Sequence, residues 1–482
     1  MIIHKNTKVV CTIGPASESY EVLSQLIDAG MNVMRLNFSH GEHPDHLKKI
    51  ELIRKLEQDK GVIIPIILDT KGPEIRCHIF KDGQAKILRD SIVRISMTEI
   101  LGDETKFSVT YDKLFDDVEV GNKIKIDDGN LELDIIEKDY DHHELVTKAR
   151  NTYVIKNRKG VIAPFARLSM AYVSEKDEAD LKFGCEHNVD YVAASFTRRP
   201  EDILEIKAIL AKYGKSDIGV IAKIENQEGV DKIDAIIDVS DGVMVARGDL
   251  GVEVPSEMVP VIQKQIIEKC RIKGKPVITA TQMLDSMQTR PVPTRAEVSD
   301  VANAILEGTD AVMLSGESAS GDYPVLATEM QSKISKTMEQ YLDYEKLAEQ
   351  AYNTSEKNNS DAISNSVANT ALLIGAKLIV AISGMGTTPR RISKARPCCP
   401  IVCISSNRRV LSKLSLFWGI YGIWVPKVPN LIEEMEVLAL VKAHDLGIQT
   451  GEPIILTGAT PAGTRGTNFM KILNANNDGV KD

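Results

Sequence analysis

A (β/α)8, or TIM, barrel interrupted by an all-β insertion and followed by an open α/β sheet is the architecture that the sequence predicts. Three observations predict it. Eight short apolar runs between Lys8 and Ser315 nearly all precede an amphipathic stretch of helical period. After the third run, from Gly72 to about Met170, that period gives way to β-branched runs with turn signals. Beyond a polar linker at Ser355–Asp361 the alternation of strand and helix resumes.

The candidate barrel strands are Lys8–Ile13, Asn32–Phe38, Ile63–Asp69, Tyr191–Phe196, Gly219–Glu225, Gly242–Arg247, Pro276–Thr281 and Asp310–Ser315, with helices such as Tyr20–Ala29 and Pro260–Lys273 between them. Parallel strands place their C-terminal ends on one face, where such proteins build their sites. Polar residues gather at those ends: Arg35, Asn37 and Ser39; Asp69 and Thr70; Lys223 and Glu225; Asp249; Thr281. The stretch Gly219–Gly251 is the densest. Its runs Val220–Ala222 and Val243–Ala246 end in Lys223, Glu225 and Asn226, and in Arg247, Gly248 and Asp249. Between them, Val230, Ile233, Ile236 and Ile237 predict one helix within Asn226–Ser240. A lysine between two facing carboxylates points to a divalent metal on Glu225 and Asp249 and an anionic substrate at Lys223; a structural ion-pair cluster is the alternative.

The insertion reads as a small lid over the barrel mouth, with Asp128-Gly129 as a hairpin turn and His142 and His143 in an exposed turn. Pro324–Gln350 reads as one long helix. The last unit opens with a helix at Asp361–Ala376 and continues through strands Leu378–Ile382, Ile401–Ser405, Ile423–Pro426, Pro453–Thr457 and Phe469–Leu473. Its first strand leads into SGMGTTPRR (Ser383–Arg391), whose glycines and hydroxyls at the start of a helix suit a phosphate, as they also suit a plain helix cap. The expected domains are residues 1–71 with 171–345, residues 72–170, and residues 346–482.

Composition narrows the classes. The 482 residues are 43% hydrophobic and 26% charged, which is ordinary for a globular chain. A net charge of −9 and 5% aromatics argue against nucleic acid or an anionic membrane as partner. The seven cysteines form no CxxC and no zinc spacing, the N-terminal residues show no signal-peptide core, and no apolar run reaches membrane length. A cytoplasmic protein with free thiols is the expectation.

The motifs CTIGPAS (Cys11–Ser17), MRLNFSHG (Met34–Gly41), LDTKGPEIR (Leu68–Arg76), AKIEN (Ala222–Asn226), MVARGDLGVE (Met244–Glu253), ITATQMLDSM (Ile278–Met287), PTRAEVSDVANAI (Pro293–Ile305) and MLSGESA (Met313–Ala319) resemble those of the pyruvate kinase family, in that family's order. The resemblance runs from about Lys8 to Leu473. It implies phosphoryl transfer from phosphoenolpyruvate to ADP, with Lys223 stabilising the phosphoryl group and Arg35 holding it. The N–H groups of Gly248 and Asp249 would hold the carboxylate, and Thr281 would stand in a proton relay. It further implies Mg²⁺ on Glu225 and Asp249, a second Mg²⁺ arriving with ADP, and K⁺ at Asn37, Ser39, Asp69 and Thr70. Arg76 and Lys159 would meet the nucleotide phosphates, with Pro15 and His40 near the nucleotide. A phosphorylated allosteric effector is implied at Ser383, Gly384, Gly386, Thr387 and Thr388 with Arg465, in a homotetramer.

Two features depart from or refine that pattern. Glu74 stands where K⁺-independent relatives typically carry a lysine. In the segment returning from the insertion, KGVIAPFARLSMAYVSEKD, Ile162, Phe165 and Ala171 replace an asparagine, a glycine and a proline, which predicts altered lid movement. Charged Arg295 and Glu297 of PTRAE fit substrate contact or packing equally, and Ser195 reads as a supporting group. A metal-dependent aldolase and a catalytically dead sensor are the rival readings. The first has no use for Arg76, the lid or the K⁺ cage, and the second predicts loss of Lys223, Glu225 or Asp249, all of which are present.

Overall fold

In the computed structural model, which describes residues 5–460 and 466–475, eight parallel strands close into a barrel. They are β1 (Lys8–Thr12), β2 (Val33–Asn37), β3 (Ile66–Asp69), β4 (Tyr191–Ala194), β5 (Gly219–Ile224), β6 (Gly242–Ala246), β7 (Val277–Ala280) and β8 (Ala311–Leu314). Each pairs with the next, and β8 pairs with β1. The two-residue period of the strands sorts their side chains. Val10, Val33, Ile67, Ala193, Ile221, Met244 and Ile278 fill the interior, while Val9, Met34, Leu36, Leu68, Val192 and Ala222 pack under the helices. Two residues beyond the interior layer, the same period delivers Arg35, Asp69, Ser195 and Lys223 to the upper mouth. The site is therefore a continuation of the core pattern with polar side chains substituted at its top.

Between β3 and β4 the insertion forms a seven-stranded sheet and a separate two-stranded one, Gln84–Ile87 with Tyr153–Lys156. Strands Lys123–Ile126 and Leu131–Asp139 pair as the expected hairpin, with Asp127, Asp128 and Gly129 all at positive φ (54°, 55° and 83°). His142 and His143 lie exposed in the next turn, as expected. The C-terminal sheet takes Leu378–Ile382 as its centre, three parallel strands and an antiparallel edge at Phe469–Asn474. All seven cysteines are free, and among the described residues no helix is long and apolar enough to cross a membrane.

Three sequence expectations are corrected. The segment Asn226–Ser240 holds two helices, Gln227–Asp231 and Ile233–Val239, because the chain turns at Lys232 (φ −104°, ψ 15°). Pro324–Gln350 is broken: Leu342 is extended, and the Asp343 carboxylate accepts the Lys346 N–H to start a new helix at Tyr344. The third C-terminal strand is Ile420–Trp424, earlier than Ile423–Pro426. Gly422 is a strand residue whose bare Cα fits against Leu411, and Pro426 has no N–H for a ladder.

The C-terminal sheet is locked to the barrel's lower end by Asp310, just before β8. Its carboxylate accepts Arg396 Nη1 (2.9 Å), Trp418 N (3.0 Å) and Val277 N (3.1 Å). Asp310 and Arg396 are both nearly inaccessible, so neither charge has water as an alternative. Asp310→Ala strands the arginine and should cost about 3–5 kcal/mol, read as a lower urea midpoint by far-UV circular dichroism; an unchanged midpoint would show that the junction does not depend on the pair.

Candidate active site

At the upper mouth Asp69 sits between two cations. Arg35 Nε lies 2.6 Å from Asp69 Oδ2 and Lys223 Nζ 3.0 Å from Oδ1. Lys223 also reaches Glu225 Oε1 at 3.0 Å and Ser195 Oγ at 2.8 Å. Ser195 Oγ in turn is within donating distance of Asp69 Oδ1 (3.0 Å) and Thr70 O (2.6 Å). Burial opposes the Asp69 charge, yet Arg35 and Lys223 overcome it and hold its carboxyl below the ordinary range. Burial likewise works against the Lys223 ammonium, and Asp69 and Glu225 reverse it, raising its pKa. Glu225 goes the other way: burial, helped by Asp249 and Asp69 against Lys223, pushes it up to about 7. The mouth thus holds a permanently charged lysine and a carboxyl group short of positive charge.

Across the mouth, Thr281 follows β7 at φ 67° and Gln282 at φ 54°, a left-handed pair that β-branched threonine rarely adopts. Arg247 fixes it. Its guanidinium donates to Thr281 O (2.7 Å) and Ala280 O (3.3 Å) and pairs with Asp300 (2.7 Å). The Thr281 hydroxyl consequently faces the helix Arg247–Glu253 and accepts the Gly248 N–H at 2.7 Å. Phe196 is also left-handed (φ 54°), which aims its N–H at Glu225 Oε2, 2.5 Å away.

Between mouth and insertion lies a cleft of about 490 Å³ that Asp249, Arg76 and Lys159 all line. Arg76 is gripped by Glu74 (2.7 and 2.9 Å), which also pairs with Lys71 at 3.1 Å; Lys159 pairs with Asp127 at 2.9 Å. The hairpin tip touches the barrel, where Lys125 Nζ donates to Val252 O at 2.5 Å. Phe165, 65% exposed and at φ 65°, projects from the return segment into the same cleft. Arg198, paired with Asp202, ties that segment down through Leu168 O (3.0 Å) and Met170 O (3.1 Å).

Of the residues read from sequence, the structure brings together Arg35, Asp69, Thr70, Lys223 and Glu225, and joins Gly248 to Thr281. Asn37 is register partner to Asp69, and its side chain accepts the Ser39 N–H at 3.1 Å. Pro15 and His40 are exposed on the loops after β1 and β2, outside the lining of the cleft. Glu297 is a helix cap, accepting from Thr294 and from Ser286, and Arg295 is exposed. In the loop at Ser383–Arg391, Ser383 Oγ accepts the Gly386 N–H (3.0 Å), Gly384 is exposed, Thr387 begins a helix, and Thr388 is buried against the Thr467 hydroxyl (2.7 Å). Arg465 lies outside the described residues. Sequence reasoning undervalued Ser195, Arg247 and Arg198. The first has a signal, since it falls on the inward period of β4; the other two act through backbone carbonyls, which leave no residue pattern.

Profiles described as pyruvate kinase, barrel domain, and pyruvate kinase, alpha/beta domain, match residues 4–328 and 361–473. The chain is 49% identical over 470 residues to the pyruvate kinase of Geobacillus stearothermophilus, covering 97% of this chain and 80% of that protein. The pyruvate kinase of Staphylococcus aureus (strain MRSA252) is 48% identical over 470 residues, with the same coverages of 97% and 80%. A crystal structure of a pyruvate kinase from Cryptosporidium parvum superposes with a TM-score of 0.93 at 35% identity, over 98% of this chain and 97% of that chain.

The hairpin contact can be tested alone. Lys125→Met removes the donor to Val252 O, so amide exchange in Lys123–Leu131 should quicken about tenfold while global unfolding is unchanged. Unaltered exchange by mass spectrometry would assign the docking to other contacts.

Proposed function

The chain belongs to the pyruvate kinase family, and from that premise we propose how its own residues carry the reaction: phosphoryl transfer from phosphoenolpyruvate to ADP, giving pyruvate and ATP, the last step of glycolysis. The observation that carries the assignment is Lys223, buried and charged between Asp69, Glu225 and Ser195 beneath a cleft that also holds Arg76 and Lys159. Donor, acceptor and transferred group are all anionic, so positioning and charge neutralisation do most of the work. Arg35, pinned by Asp69 and by Thr12 Oγ1 (2.8 Å), holds the phosphate. Lys223 stabilises the phosphoryl group as the bond to the enol oxygen breaks and the bond to ADP forms. Arg76 and Lys159 orient the nucleotide phosphates, with Pro15 and His40 farther along the same face. The Gly248 and Asp249 N–H groups take the carboxylate, Gly248 exchanging its bond to Thr281. The enolate left behind gains a proton at its methylene carbon through the Thr281 hydroxyl relay.

Glu225 and Asp249 fit Mg²⁺: both are oxygen donors, and burial first, with the nearby Asp249 and Asp69 charges, raises the pKa of Glu225, a cost that a bound cation would offset. Bound there, and again with ADP, Mg²⁺ supplies positive charge to phosphate and carboxylate oxygens. Asn37, Ser39, Asp69 and Thr70 offer an all-oxygen set at the ends of β2 and β3, which fits K⁺. The domains act as units 1–71 with 171–345, 72–170, and 346–482, in a cytoplasmic homotetramer without nucleic-acid or membrane partners. A phosphorylated effector at Ser383, Gly384, Gly386, Thr387 and Thr388, with Arg465, activates it.

A coupled assay with phosphoenolpyruvate and ADP tests the reading directly; no ATP formation would overturn it. Lys223→Met should lower ATP formation about 10³-fold or more while ketonisation of supplied enolpyruvate survives; near-normal ATP formation would remove the role given to Lys223. Glu74 leaves its share of positive charge to an ion. Strong activation by K⁺ over Na⁺ is therefore expected, weakened in Glu74→Lys, and full activity with neither ion would exclude the K⁺ site.

A further inference from the structure

At the barrel's lower end Tyr191 closes the interior, and its hydroxyl donates to Lys413 O at 2.8 Å. Beside it a cavity of about 210 Å³ opens between the barrel and two C-terminal helices, Thr387–Lys394 and Arg408–Leu414. Three cations line it: Lys275, just before β7; Arg390, from the first helix; and Lys413, from the second. Lys275 Nζ donates to Ser240 O (2.5 Å) and Lys413 Nζ to Asp217 O (2.9 Å), both backbone carbonyls. Among the described residues, none of the three has a carboxylate within ion-pair distance, and the Arg390 guanidinium makes no hydrogen bond. The lining's own carboxylate, Asp241, is already engaged by Lys207 (2.9 Å) and the Val220 N–H (2.9 Å).

This is out of keeping with the surroundings. The neighbouring Arg396 and Arg409 are neutralised by Asp310 and by Asp190 and Asp217, in a chain whose net charge is −9. Three cations without a paired carboxylate facing one small cavity repel one another and favour an anion between them, since Asp241 offsets both lysines only in part. Burial depresses the pKa of both lysines; Asp241 offsets part of this in each, while Lys207 beside Lys275, Arg409 beside Lys413 and Arg390 beside both add to the depression, and a bound anion would relieve what remains. The other wall is apolar, built from Val410, Leu414 and Phe417.

We propose that this cavity binds a small phosphate ester, its phosphate held by Lys275, Arg390 and Lys413 and its carbon portion lying against Val410, Leu414 and Phe417. The site shares Arg390 with the segment Ser383–Arg391 but none of Ser383, Gly384, Gly386, Thr387 or Thr388, the residues assigned to the effector phosphate. Because Lys275 belongs to the barrel and the other two cations to the C-terminal unit, an anion here bridges the two and favours the arrangement in which they converge.

Calorimetric titration of the full chain at low ionic strength with glycerol 3-phosphate and with inorganic phosphate tests the proposal. The wild type and a Thr387→Val/Thr388→Val variant should bind the ester, and more tightly than inorganic phosphate. Lys413→Met and Arg390→Met should each weaken it at least tenfold while turnover at saturating phosphoenolpyruvate and ADP stays unchanged. Arg390 makes no side-chain hydrogen bond, so its variant should fold even if Lys413→Met does not. Titrations of Arg390→Met that superimpose on the wild type would overturn the site. Equal affinity for the two probes would overturn the apolar half of the assignment, and loss of binding in the threonine variant instead would transfer the anion to the effector loop.

Discussion

The Asp69 carboxylate is the constraint on which the catalytic mouth depends. It holds Arg35 on one oxygen and Lys223 on the other, and it receives the Ser195 hydroxyl. Two cations that would otherwise repel across a narrow barrel are thereby kept side by side. The arrangement is nearly inaccessible to solvent, so the field it presents is little screened. Its position follows from the barrel itself. The apolar residues that seal the interior and the polar residues at the mouth share one side of each strand, so any shift of strand register would dismantle core and site together.

Around this rigid mouth the adjustable parts are held through main-chain atoms. Arg247 sets the Thr281 turn by gripping carbonyls, Arg198 does the same for the return segment, and Lys125 anchors the hairpin tip on Val252 O. Holding a backbone fixes geometry without dictating the side chains along it. The return segment has consequently accepted Phe165 at a left-handed position that a glycine would occupy without strain. The ring stands in the cleft, where it adds bulk to a lining shared with Arg76 and Lys159.

How much of this was legible in the sequence depended on the kind of signal. The strands announced themselves because each is an apolar run ended by polar residues, and Arg35, Asp69, Lys223 and Glu225 were visible as charges at those ends. The Asp128-Gly129 hairpin was legible because few residues tolerate its turn. What failed was punctuation within apolar or helical stretches. Gly422 lies inside a strand expected to begin only at Ile423, and Asp343 caps a helix that restarts within a stretch expected to be continuous. Glu297 carried a charge in a family motif yet serves Thr294 and Ser286. Partners distant in sequence, such as Arg396 with Asp310 or Lys413 with Tyr191, cannot be read from local composition at all.

The junction built on Asp310 has an optical consequence. The chain has two tryptophans, and both fall in the C-terminal sheet region. Trp418 is buried, with its backbone N–H on Asp310 and the Arg396 guanidinium 5.3 Å from its ring; Trp424 stands half exposed at a sheet edge. The barrel mouth and the insertion contain no indole. Tryptophan emission, excited apart from the tyrosines, therefore has no reporter in the insertion over the cleft and responds to the packing of the C-terminal sheet on the barrel, so the chain carries a built-in reporter for the interface at the barrel end opposite its mouth.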